Sequence, residues 1–165
     1  MGYLQMIDME KEHNGPVFLR EIEIRYKKNR TPKETVNTLI TCPSDVVKLF
    51  YDLQDEAKEK LITINLDNKN KILCFEVVAI GSVNSIHVRP MEVFRTAFPV
   101  NAHGAIVLHN HPSGDPTPSE EDNVFTSKLD RLALDMGLKF VDHIIIGNNR
   151  HYSFREKSDI ISTML

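Results

Sequence analysis

The chain has 165 residues, 41% hydrophobic and 26% charged, with a formal net charge of -3. That is one domain's worth of chain with enough apolar material for a core, which excludes global disorder. Its longest apolar runs fall far short of the ~20 residues a membrane helix needs, and the acidic balance argues against a globally basic nucleic-acid binder.

Residues 1–17 are polar and irregular, ending in Asn14-Gly15-Pro16, and read as a loose N-terminal arm; residues 18–165 read as a single domain. No basic stretch followed by a long apolar core opens the chain, so no signal peptide is expected. With two cysteines, Cys42 and Cys74, there is no disulfide framework, and a cytoplasmic, reducing home is expected. Up to Tyr26, Glu21, Glu23 and Arg25 alternate with Ile22 and Ile24, the pattern of a half-exposed strand. The basic run from Arg25 to Arg30 is either a solvated loop or a contact for phosphate or an acidic partner.

A helix is expected from Pro43, capped by Ser44, with Val47, Phe50, Leu53 and Ala57 at helical spacing. Residues 61–66 and 72–80 read as two strands of a hairpin around Asp67-Asn-Lys-Asn70. A short helix follows Pro90, with Phe94 and Phe98 on one face. Residues 105–108 read as a buried strand running into His109. After the proline-rich loop 112–118 comes the longest helix, 119–136, carrying Phe125, Leu129, Leu132, Ala133 and Met136 on one face and ending at Gly137. Residues 138–146 and 151–154 read as the last strands. The order β-α-β-β-α-β-α-β-β fits an α/β fold, a mixed sheet flanked by helices.

The chemistry concentrates between His109 and Asp122. On a strand, His109 and His111 point to the same face ~6.5 Å apart, close enough to share one metal ion. The loop can return the chain so that Asp122, in the first helical turn, supplies an oxygen. Two histidines and one aspartate leave a fourth position open, the pattern of catalytic rather than structural zinc. Ser119-x-x-Asp122 also matches a helix capping box, and the two readings are compatible. A metal-activated water needs a base. Glu76 lies mid-strand among apolar residues, so its carboxylate must face a polar cleft or find a partner; Glu92 is an alternative on an amphipathic helix. Asp115 is a candidate for bracing the loop or a ligating histidine, and His143 for a further ligand, a proton shuttle or a group behind the ligands, or alternatively for a purely structural hydrogen bond.

The string His109-x-His111-x7-Ser119-x2-Asp122 with an upstream glutamate resembles the JAMM motif of MPN-type zinc metalloproteases. The longer run Leu108-His-Asn-His-Pro-Ser-Gly-Asp-Pro-Thr-Pro-Ser119, with Asn84-Ser85, Pro90-Met-Glu-Val-Phe94 and Asp142-His-Ile-Ile-Ile-Gly147, is similar to the RadC-like family, historically labelled DNA repair proteins, over residues 42–156. The resemblance implies a cytidine-deaminase-like α/β fold and one Zn2+ held by His109, His111 and Asp122. It further implies Glu76 as general base and Ser119 as the hydroxyl that stabilises a carbonyl oxyanion. The expected activity is zinc-dependent cleavage of a peptide or isopeptide bond in a peptide or protein substrate. The alternatives are a DNA-repair or mobile-element accessory protein that binds DNA or a repair partner, a metal-dependent nuclease, and a metal-binding scaffold without turnover. Residues 1–41 show no helix-hairpin-helix pattern, which together with the net charge weakens the DNA reading.

Overall fold

The computed structural model describes residues 39–81 and 88–162. The arm, the strand read before Tyr26, the basic run, Asn84-Ser85 and His87 lie outside the described residues. The described chain runs α1 (Pro43–Leu49), a 3-10 turn (Tyr51–Asp55), β1 (Lys60–Leu66), β2 (Ile72–Ile80), α2 (Pro90–Val93), β3 (Gly104–Asn110), α3 (Glu120–Asp135), β4 (Lys139–Gly147), β5 (Arg150–Ser153) and α4 (Phe154–Lys157). The strands form one mixed sheet in the order β2-β1-β3-β4-β5. β3 pairs parallel with β4 and antiparallel with β1.

The expected α/β architecture is present, with local differences. The first helix is shorter than its periodicity predicts: it stops at Leu49 and the chain tightens into a 3-10 turn, so Leu53 is buried while Ala57 is exposed. Cys42, not Ser44, is the cap residue, and the work is done by the Asp45 carboxylate, which accepts from the Thr41 and Cys42 main-chain N–H groups at 2.9 and 3.2 Å. α2 ends at Val93, so Phe94 is buried but Phe98 is 56% exposed. Gly137 terminates α3 as expected, with φ of 66°.

The sheet has a core on each face. One gathers Ile62, Ile64, Leu66, Ile106, Leu108, Ile144 and Ile146 beneath α1. The other gathers Leu61, Phe94, Val107, Leu129, Ala133, Phe140 and Ile145 beneath α3. All seven residues of β3 are buried, because neighbours cover both faces and both edges. The polar residues ending that strand must therefore find partners inside the protein.

Asp142, on β4, is 4% exposed. It accepts bonds from Ser153 Oγ at 2.6 Å and from the Arg155 main-chain N–H at 3.0 Å. Burial nevertheless pushes its carboxyl up to about 6, against the pull of those donors. The folded protein thus keeps this proton to higher pH than the unfolded chain does. The associated stability is complete below about pH 4 and is lost as pH rises through about 6. Asp142→Asn removes the dependence. The stability difference between wild type and variant, from denaturant titrations, is expected to move against the wild type by on the order of 3 kcal/mol between about pH 4 and 7. A difference that stays flat across that range would contradict this account.

Candidate metal centre

His109 ends the buried run of β3 and is 1% exposed. His111 lies one residue past the strand, its main-chain N–H donating to Ile146 O at 2.9 Å, so the strand geometry persists far enough to keep both rings on the α3 side. Their Nε2 atoms are 3.1 Å apart. Asp122 arrives from the first turn of α3 and places Oδ1 3.3 Å from His109 Nε2 and Oδ2 3.5 Å from His111 Nε2. The structure therefore brings together the three residues that the sequence spacing selects.

Local chemistry explains why each stands there. Ser119 caps α3: its Oγ accepts from the Asp122 main-chain N–H at 3.1 Å. Asp122 Oδ2 in turn accepts from the Ser119 main-chain N–H at 2.8 Å and from Ser119 Oγ at 2.7 Å. The capping box aims the carboxylate toward the two histidines, so a capping role is compatible with a ligand role. The Ser119 hydroxyl hydrogen rests on Asp122.

His111 is held by the loop. Its Nδ1 lies 2.8 Å from the main-chain oxygen of Asp115. A carbonyl can only accept, so Nδ1 carries a hydrogen and Nε2 is the ring atom turned inward. Asp115 holds the His111 ring through its main chain rather than its side chain; its carboxylate accepts from Thr117 N–H and Oγ1. The loop is pinned against the β4–β5 turn, where Asn148 N–H donates to Gly114 O at 2.9 Å. A Cβ on Gly147 would lie 2.7 Å from Pro116 Cδ and meet Gly114 O closer still, so glycine is what lets the loop fold back.

Glu76 is not brought to the histidines. It lies on the outer strand β2 opposite Thr63, which is itself opposite Val107, two residues before His109. Its carboxylate pairs with Arg95, whose Nε donates to Oε1 at 2.9 Å and whose terminal nitrogen donates to the same oxygen. Glu92 is paired with Arg89. The carboxylate that does reach the cluster is Glu59. Leu61 pairs with His109, so one alternation back along β1 sets Glu59 on the same face, opposite His111. Asn110, between the two histidines and facing the other way, anchors this segment: its Oδ1 accepts from the Lys60 N–H at 2.8 Å and its Nδ2 donates to Lys58 O at 3.2 Å.

The electrostatics follow the geometry. Burial works against the charged form of Asp122, yet its contacts with His109, His111 and Ser119 hold its carboxyl well below the usual range. The Asp122 hydrogen bond raises His111 against its burial. Burial pushes Glu59 up; the histidines oppose this and the Asp122 charge adds to it. His143 is fully buried, with burial driving it well below the ordinary histidine value.

His109, His111 and Asp122 form a group that can hold a metal ion, with one ligand atom from each within 4.8 Å of the others. Two imidazole nitrogens and one carboxylate oxygen are donors that zinc takes in sites that keep an open position, so the donor set fits a zinc-type ion.

A mixed sheet with two histidines at the end of its central strand and an aspartate from the adjoining helix N-terminus defines an α/β domain with a group able to hold a metal ion. A family model described as a RadC-like JAB domain matches residues 40–159. The chain belongs to that family. It is 46% identical over 119 residues to a UPF0758 protein of Methanosarcina mazei, covering 72% of this chain and 52% of the relative. It is 44% identical over 148 residues to a UPF0758 protein of Clostridium perfringens, covering 89% and 64%. Against a UPF0758 protein of Aquifex aeolicus the identity is 40% over 115 residues, covering 70% and 50%. The chain thus spans about half to two thirds of the length of these relatives.

Proposed function

We propose that this domain is a zinc-dependent hydrolase of the JAMM type, cleaving a peptide or isopeptide bond in a peptide or protein substrate. The observation that carries the proposal is the convergence of His109, His111 and Asp122, one ligand atom from each within 4.8 Å of the others, with the half-buried Glu59 beside them. Zinc held by those three residues supplies Lewis acidity, lowering the pKa of water and polarising a carbonyl.

The chain's own residues supply the rest. Glu59 takes the proton from the attacking water and returns it to the leaving nitrogen; its burial keeps it basic enough for both transfers. The Ser119 hydroxyl exchanges Asp122 for the developing oxyanion, while the Ser119 main-chain N–H keeps Asp122 aimed. Among the described residues there is one potential metal group, which favours a one-metal hydrolase over a two-metal nuclease. The basic run 25–30, which motivates the DNA-binding alternative, lies outside the described residues. No described helix is long and apolar enough to cross a membrane.

The test is a panel of unlinked, peptide-linked and isopeptide-linked substrates alongside single- and double-stranded DNA. Amide cleavage that a chelator abolishes and added zinc restores is the expected result. Metal-dependent nicking of DNA with no amide cleavage would overturn it.

A further inference from the structure

His143, on β4, is fully buried, stacked on Phe154 with ring centroids 5.0 Å apart and 8° between planes, and edge-on to Phe125. Its two nitrogens must be satisfied within the protein. Nε2 lies 2.9 Å from His109 Nδ1, and Nδ1 lies 2.6 Å from Thr126 Oγ1. Thr126 Oγ1 is also 2.6 Å from the main-chain oxygen of Asp122, one turn earlier in α3.

Each of these contacts needs a hydrogen between its atoms, and the end of the chain fixes where all of them lie. The Asp122 carbonyl has none to give, so the Thr126 hydroxyl hydrogen points there. Thr126 Oγ1 must then accept from His143, which puts a hydrogen on His143 Nδ1. Neutral His143 thereby offers a lone pair at Nε2, and His109 must donate from Nδ1. That leaves a lone pair on His109 Nε2, the atom facing His111 and Asp122, and the hydrogen in its 3.1 Å contact with His111 Nε2 comes from His111 until a cation takes that place. Reversing the chain would place a hydrogen on His109 Nε2 and block it.

We propose that His143, backed by Thr126, is a positioning residue that fixes His109 in the one tautomer able to offer Nε2 to a cation. The same chain ties two ligands together, because it starts at the His109 ring and ends on the main chain of Asp122. A shift of α3 that breaks the Thr126 contact therefore loosens His109 as well. The assignment rests on the metal reading above for its purpose, and on the hydrogen-bond geometry alone for its content.

Nitrogen-15 spectra of the histidine side chains in chelator-dialysed full-length protein read the tautomers without metal or activity. The wild type is expected to carry its hydrogen on Nδ1 in both His109 and His143. In Thr126→Val, which keeps the shape and removes the acceptor, the His109 hydrogen distributes over both nitrogens. His143→Leu does the same. Zinc affinity, by competition with a chromophoric chelator, falls about 10–100-fold in both variants. His143→Gln, which keeps an acceptor near the Nε2 position, recovers most of that loss. A merely structural role would lower the melting temperature and leave tautomer and affinity unchanged. Folded Thr126→Val with the His109 hydrogen still on Nδ1 and wild-type zinc affinity would overturn the assignment. A wild type that takes up no zinc would overturn the hydrolase reading, and the nitrogen spectra would still decide this one.

Discussion

Replacing His109 by alanine is expected to empty the metal centre. Wild-type protein purified without chelator should carry about one zinc per chain by mass spectrometry, and His109→Ala less than a tenth of that, even after zinc is added back at neutral pH. Three protein donors are the minimum for a zinc site that keeps an open position. His109 is the buried one of the three, tied through its other nitrogen to His143. Its loss leaves His111 and Asp122 at the rim, without the ring that sits between them and the core. The consequence extends to stability. A ligand that binds only the folded state adds about 4 kcal/mol at a thousandfold excess over its dissociation constant. Added zinc should therefore raise the melting temperature of the wild type and leave that of His109→Ala where it was. Equal metal content in the two proteins would sink the metal assignment and leave the capping box and a structural histidine pair as the whole meaning of the motif.

The parts of this site legible in the sequence are those set by short-range geometry. His109 and His111 share a face because strand periodicity is two, and Ser119 with Asp122 declares a helix start; each relation spans three residues or fewer. The carboxylate proposed as the acid–base group is different, because its placement depends on pairing between strands distant in sequence. Glu76 stands out as a charge inside an apolar run, and Arg95 partners one of its oxygens while the other is buried without a hydrogen-bond partner among the described residues. Glu59 was hidden because helical spacing continued through Ala57 and the next strand was expected to start at residue 61. The observed chain leaves its helix at Leu49 and enters β1 at Lys60, so Glu59 is the residue before a strand. Stepping back by two from Leu61 would have placed it on the inward face, but only the β1–β3 register shows that His111 lies opposite. Asp115 differs on a smaller scale: the atom that holds the His111 ring is its main-chain oxygen, which side-chain chemistry read from the sequence does not reveal.

Glu59 and Glu76 give opposite expectations on substitution. Glu59→Gln keeps the size of the side chain and removes its ability to hold a proton in transit. It should retain about one zinc per chain and lose about 10²–10⁴-fold in the rate of amide cleavage, the usual contribution of a positioned acid–base group. Glu76→Gln should bind zinc and cleave within a few-fold of the wild type, because its carboxylate is two strands away from β3 and already paired. Its cost is to stability. Arg95 is more than half exposed, so the lost pairing is expected to cost no more than about 1 kcal/mol by denaturant titration. Measuring metal content, cleavage rate and stability on both variants separates the roles, since a base changes the second quantity alone and a structural ion pair changes the third alone. If Glu76→Gln abolished cleavage with its metal intact while Glu59→Gln did not, the assignment of the base to Glu59 would fail, and the Glu76–Arg95 pair would have to open toward the centre during turnover.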